Sequence, residues 1–115
     1  MEKNDDYIIQ ALAGTISDVV LTLGTFASAA FLAANIAKAH SVLITVNTNS
    51  VNWTGDGVLA PTVAGVGHLI AAGGTYVIEG VAIVRALQMI RQGSSDATVT
   101  ISLIGNAPQK GSITY

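Results

Sequence analysis

After a polar opening over residues 1–6, which reads as a solvated arm, the apolar pattern begins at Tyr7. From Ile16 to Leu23 the chain alternates, with Val19, Leu21 and Leu23 on one side and Asp18, Val20 and Thr22 on the other. A period of two predicts a strand, because successive side chains of an extended chain point to opposite faces. Gly24 ends it. Thr25 then stands where a helix N-cap is expected, and the spacing predicts a helix from Phe26 to about Lys38. On that helix Phe26, Ala29, Ala30, Ala33, Ile36 and Ala37 share one face, while Ser28, Asn35 and Lys38 share the other.

From Ser41 onward β-branched residues alternate between turn formers. Val42, Ile44 and Val46 alternate with Leu43, Thr45 and Asn47, and turns at 47–50 and 55–57 bracket a short strand from Val51 to Thr54. Pro61, Gly65 and Gly67 mark 60–67 as a loop. Gly73 and Gly74 separate His68–Ile70 from Thr75–Glu79, as in a hairpin. The stretch Val81 to Gln92 satisfies both periods, since Ile83, Leu87 and Ile90 also fit a helix that Gly93 would cap; a strand is the preferred reading. Ala97 to Leu103 is the clearest strand, with Val99, Ile101 and Leu103 facing in and Thr98, Thr100 and Ser102 facing out. Residues 105–115 read as a second extended arm.

These elements predict a mainly β protein: one domain over 1–115, a small antiparallel β-sandwich or barrel with one short helix near residues 26–38 and flexible arms at 1–6 and 105–115. Composition adds a constraint of another kind. Charged residues are 10% of the 115, against about a quarter in ordinary soluble domains. Between Val19 and Ile78 only Lys38 and Asp56 carry a formal charge. A surface this poor in ions is suited to contact with other protein, because few charges need desolvating on association. The expectation is a homo-oligomer.

Several function classes lose support. Lys3, Lys38, Arg85, Arg91 and Lys110 are scattered and form no basic stripe, so nucleic acid is not an expected partner. The uncharged run from Val19 to Ala37 has the length of a membrane span, but Thr22, Gly24, Thr25, Ser28 and Asn35 interrupt it, and no membrane association is expected. There is no cysteine, which removes disulfides, thiolate metal sites and thiol nucleophiles. His40 and His68 lack metal-ligand spacing, and no G-x-S-x-G surrounds a serine. Gly55-Asp56-Gly57 reads as a tight turn rather than a Ca²⁺ loop, and no glycine run has the form of a phosphate loop. No catalytic, metal or cofactor residue is therefore assigned, and the chain is not expected to be an enzyme.

Aromatic residues supply the remaining candidates. Trp53 reads as a core or inter-strand plug, or as an interface anchor combining apolar area with one N–H donor. Phe31 falls on the polar side of the predicted helix, where an exposed ring would suit a partner contact; a misplaced helix explains it equally well. Tyr76 joins them, and Ile113 and Tyr115 are the apolar anchors of the C-terminal arm.

Three phrases carry a resemblance: Val51-Asn-Trp-Thr-Gly-Asp-Gly-Val58, Leu69-Ile-Ala-Ala-Gly-Gly-Thr-Tyr-Val-Ile-Glu-Gly80 and Ser95-Asp-Ala-Thr-Val-Thr-Ile101. With the β-rich pattern around them, they resemble the small virion proteins of tailed bacteriophages, particularly capsid decoration (cement) proteins. The resemblance implies a homotrimer on the outer capsid surface, seated at three-fold positions of an icosahedral shell, whose partner is the major capsid protein and whose work is clamping rather than catalysis. A tail or head-fibre component is the alternative within that class. A carbohydrate- or host-surface-binding module is the alternative outside it, with Trp53, Tyr76 and nearby Asn side chains meeting a sugar.

Overall fold

A computed structural model describes residues 6–106. In chain order the elements are β1 (Asp6–Ile16), β2 (Leu21–Thr22), α1 (Ala33–Lys38), β3 (Ser41–Thr48), β4 (Ser50–Thr54), β5 (His68–Ile70), β6 (Thr75–Glu79), α2 (Val81–Ala86), β7 (Gln88–Gln92) and β8 (Ala97–Asn106). Two four-stranded antiparallel sheets result, the first in the order β1, β8, β3, β6 and the second in the order β2, β7, β4, β5. Pairing follows a simple rule. The first strand pairs with the eighth, the second with the seventh, the third with the sixth and the fourth with the fifth. One long folded ribbon has been rolled on itself, and the pairs β3–β8 and β4–β7 close the roll into two sheets. This is the connectivity of a jelly roll. The predicted mainly β sandwich is the fold observed, without closure into a barrel.

The inner faces meet in one apolar core. Val42, Ile44, Val46, Val99, Ile101 and Leu103 come from the first sheet, and Val51, Ile70 and Met89 from the second. Phe26 and Phe31 enter from the β2–β3 connector, with ring centroids 5.8 Å apart. Gly14 makes room for Phe26, since a Cβ there would lie 2.7 Å from the ring.

On the outer side of the first sheet, the register aligns residues in rows. Ile8, Ile104, Ser41 and Glu79 form one row, followed by Ala11, Ser102, Leu43 and Val77, then by Ala13, Thr100, Thr45 and Thr75. Thr15, Thr98 and Thr48 complete the face. The outer side of the second sheet differs, because the chain covers it. Asn52 and Thr54 are buried there, donating to Thr62 O at 2.9 Å and Leu59 O at 2.6 Å, so residues 55–67 lie over the strand.

Several expectations are corrected. The strand expected over Ile16 to Leu23 is an end, a bend and a two-residue bridge: β1 stops at Ile16 and only Leu21–Thr22 pairs, with β7. Ser17 turns the chain, its hydroxyl accepting the Val19 N–H at 3.2 Å. The helix expected from Phe26 begins only at Ala33. Thr25 does not cap it, because its hydroxyl accepts the N–H of Thr22, behind it, at 2.8 Å. Ala27, Ser28 and Ala29 instead take left-handed φ values of 53°, 61° and 66°. Burial of two rings explains this: residues five apart on a helix point about 140° from each other, so a helix could not send both Phe26 and Phe31 into one core.

Phe31 is thus buried, at 3% exposure, and not the exposed aromatic expected on a polar helix face. A second helix, α2, occupies the first half of the stretch read as a strand over 81–92, and β7 the second half, with buried Leu87 at the junction. The segments flanking Gly73 and Gly74 are not a hairpin. β5 pairs with β4 and β6 with β3, so the glycine turn passes the chain between sheets, held by Gly73 N–H to Val46 O at 2.7 Å. Asp6 belongs to β1 and Gly105 and Asn106 to β8, which shortens both expected arms. Ile113 and Tyr115 lie outside the described residues.

Truncating the fully buried ring tests the packing account. Phe26→Ala is expected to lower unfolding stability by about 3–5 kcal/mol, measured by denaturant titration, whereas Ala30→Ser on the exposed part of the same connector should change it by less than about 0.5 kcal/mol.

Candidate functional site

At one end of the roll three connectors converge. The β2–β3 connector carries α1, the β4–β5 connector is the loop 55–67, and the β6–β7 connector carries α2; Arg85 of α2 donates to Ala37 O at 3.2 Å. Between the 55–67 loop and α2 lies an open cavity of about 470 Å³ lined by Trp53, Asp56, Leu59, His68 and Ile83, with Thr54, Gly55 and Gly67. Its wall is mostly apolar.

Trp53 is the centre of the site. It sits on β4 in phase with Val51, so its ring leaves the inner face of the second sheet, and it is 9% exposed. His68, directly opposite on β5, places its ring 4.8 Å from the Trp53 ring. Tyr76 reaches the other side from β6 at 6.0 Å. Two of the aromatic candidates read from sequence are therefore brought together from different sheets, and Tyr76 remains 49% exposed. Trp53 is buried as the inter-strand plug of its first expected reading, and it also lines the cavity.

Asp56 shapes the loop as expected of a tight turn. Its Oδ1 accepts the N–H groups of Val58 and Leu59, each at 2.9 Å, and these bonds hold its carboxyl below the ordinary value of 3.8. The cavity therefore carries one stable anion at its mouth. Gly67 has φ 118°, and a Cβ there would meet Trp53 O at 2.9 Å, so the loop returns to β5 against the backbone of β4 as only glycine allows.

A second arrangement, which sequence reasoning did not assemble, joins His40, Ser41 and Asp6. His40 Nδ1 lies 2.7 Å from Ser41 Oγ, and His40 Nε2 lies 3.1 Å from Asp6 Oδ1. The residue types are those of a hydrolytic triad, but Ser41 is 4% exposed on the central strand β3, between Ile104 and Glu79, and a substrate carbonyl has no approach to its hydroxyl. The group is a tie across β8: Asp6 belongs to β1, and the His40 backbone N–H donates to Ile104 O at 2.9 Å. Gln10 is a tie of the same kind, bonding Ala30 O, Leu32 N and Asn35 Nδ2 and so holding the β2–β3 connector against β1. Among the described residues no group of three or more His, Asp or Glu side chains is placed to hold a metal ion, and no helix is long and apolar enough to cross a membrane.

The Asp56 turn generates a pH prediction. A carboxyl with a depressed folded pKa stabilises the folded state above its unfolded value and loses that contribution as pH falls through the folded value. Asp56→Ala should lower the Tm at pH 7, and the difference from the unmodified chain should shrink as pH falls below 3.8. Thermal unfolding followed by circular dichroism between pH 2 and 7 measures it; a difference that is independent of pH would show that the carboxylate charge is not what orders the loop.

Comparison of the chain with protein families, with curated proteins and with solved structures found no match.

Proposed function

We propose that this protein is a non-catalytic structural component of a virion, self-associating and binding a capsid lattice in the manner of a decoration protein. The observation that carries this reading is the outer face of the first sheet. Its only charged residues among those described are Asp6 and Glu79, both at one end, and no segment among the described residues covers the face. A surface of Ala, Thr, Ser and aliphatic side chains meets another protein surface with little desolvation cost. The jelly roll supports the reading only by analogy, since viral capsid domains and lectins both use it. Such a component works by mass action, binding the assembled shell and not its separated subunits, and so stabilising the shell by the difference.

A second reading is favoured by one specific observation. The Trp53 cavity combines an aromatic wall with an anion at Asp56, and the half-exposed Tyr76 stands with its ring 6.0 Å from that of Trp53, a combination that suits the C–H face and hydroxyls of a neutral sugar. On this reading the chain is a carbohydrate- or host-surface-binding module.

Two measurements separate these readings. Shells from which this protein has been removed are expected to rupture at a lower temperature than complete shells, and adding the protein back should restore them; equal rupture temperatures would overturn the structural reading. Trp53 is the single tryptophan, so its fluorescence reports on the cavity. Titration with neutral mono- and disaccharides is expected to leave it unchanged under the structural reading, and a saturable change abolished by Tyr76→Ala would favour the sugar-binding one.

A further inference from the structure

The self-association proposed above leaves open which surface is used, and the two sheets answer differently. The second sheet has its outer side covered by residues 55–67, with Asn52 and Thr54 satisfied by loop carbonyls. Among the described residues, no segment lies over the outer side of the first sheet. Four of its hydroxyls pair across strands, Thr48 with Thr98 at 2.7 Å and Thr45 with Thr75 at 3.3 Å, so a covering surface displaces fewer of their bonds to water. Large apolar side chains also stand on it, Ile8 at 57% and Val77 at 45% exposure.

Resting on that reading, we infer that the outer face of the first sheet is covered by the same face of a second copy, packed sheet against sheet about a two-fold axis. Charge selects this occupant. A charged partner surface would lose hydration against a face whose only ions, Asp6 and Glu79, stand at one end, so the surface matching the rest must be as free of charge as this one. The chain itself supplies such a surface. Strands about 4.8 Å apart and outward residues about 6.8 Å apart along each strand give a face of roughly 20 by 25 Å. Two such faces in contact remove roughly 1,000 Å² from water, the lower bound for a specific interface. Aligned packing of two twisted sheets is the ordinary way for such faces to meet.

The contact is isologous, so each residue near the axis faces its own counterpart, and a charge placed there meets a like charge. Thr100, on the central strand β8, is the position to change. Light scattering of the full chain at micromolar concentration is expected to give two-chain particles. Thr100→Lys and Thr100→Glu should each weaken association by roughly a hundredfold or more and give single chains with unchanged circular dichroism. An equimolar mixture of the two variants should recover the two-chain mass, which a misfolded variant could not do. Val58→Lys, at the exposed tip of the 55–67 loop, should leave the mass as it was. Assemblies whose mass resists both Thr100 substitutions, or three-chain particles, would overturn the face-to-face contact while leaving self-association intact. A single-chain mass for the unmodified protein at every concentration would overturn self-association as well.

Discussion

Antiparallel pairing of β1 with β8 joins the two ends of the described chain, from Asp6 opposite Asn106 to Ile16 opposite Ala97. The rest of the roll depends on it. β8 is flanked on its other side by β3, so the backbone groups of a strand whose side chains alternate into the core are satisfied on both edges. Without β1, that central strand would become an edge and the inner residues Leu12 and Ile16 would lose their places opposite Ile101 and Ala97. The nested pairing beneath it, second with seventh and third with sixth, brings together residues far apart in sequence, and even β4 and β5 are separated by the whole of loop 55–67. Each pairing closes a long loop before it gains contacts, which places this protein among slowly folding topologies.

The sequence makes some of this architecture legible and hides the rest for physical reasons. β3, β4 and β8 show because they are central strands with branched residues alternating into the core. β1 is hidden because two of its inward positions are Gly14, whose side is filled by Phe26, and Gln10, whose amide serves the β2–β3 connector. A glycine and a glutamine at core-facing positions erase the alternation. The 26–38 segment misleads because its alanines fit a helix well, while the requirement that both Phe26 and Phe31 be buried is visible only once there is a core to enter. For the candidate site, the Asp56 turn is legible from three residues, since the interaction is local. The meeting of Trp53 with Tyr76 is not, because β4 and β6 belong to different sheets and only the passage of the chain at Gly73 sets them face to face.

The two outer faces show that the low charge of the sequence is not spread evenly over the fold. Among the strands of the first sheet, Asp6 and Glu79 are the only charged residues, and both lie at the same end. Asp18, Lys38, Asp56, Arg85 and Asp96 sit on connectors or a short helix instead, at the two ends of the roll. The charges of the four-stranded outer face stay at that one end, and its rows from Ala11 to Thr15 carry none. Covering such a face gains from burying Ile8, Leu43 and Val77 and costs little for the threonines already paired.

Threonine is the residue that reconciles exposure with cover. A face of valine and isoleucine alone would be a patch at risk of indiscriminate contact, and lysines along β1 or β6 would guard the edges but forbid a close partner. Threonine keeps the β-branched stem that a strand favours and presents a methyl group to a neighbour, while its hydroxyl can bond another threonine across the strand gap in place of water, as Thr48 with Thr98 and Thr45 with Thr75 do. Because that exchange of hydrogen bonds is nearly even, whether the face is covered is decided by shape and by the few aliphatic side chains among the threonines.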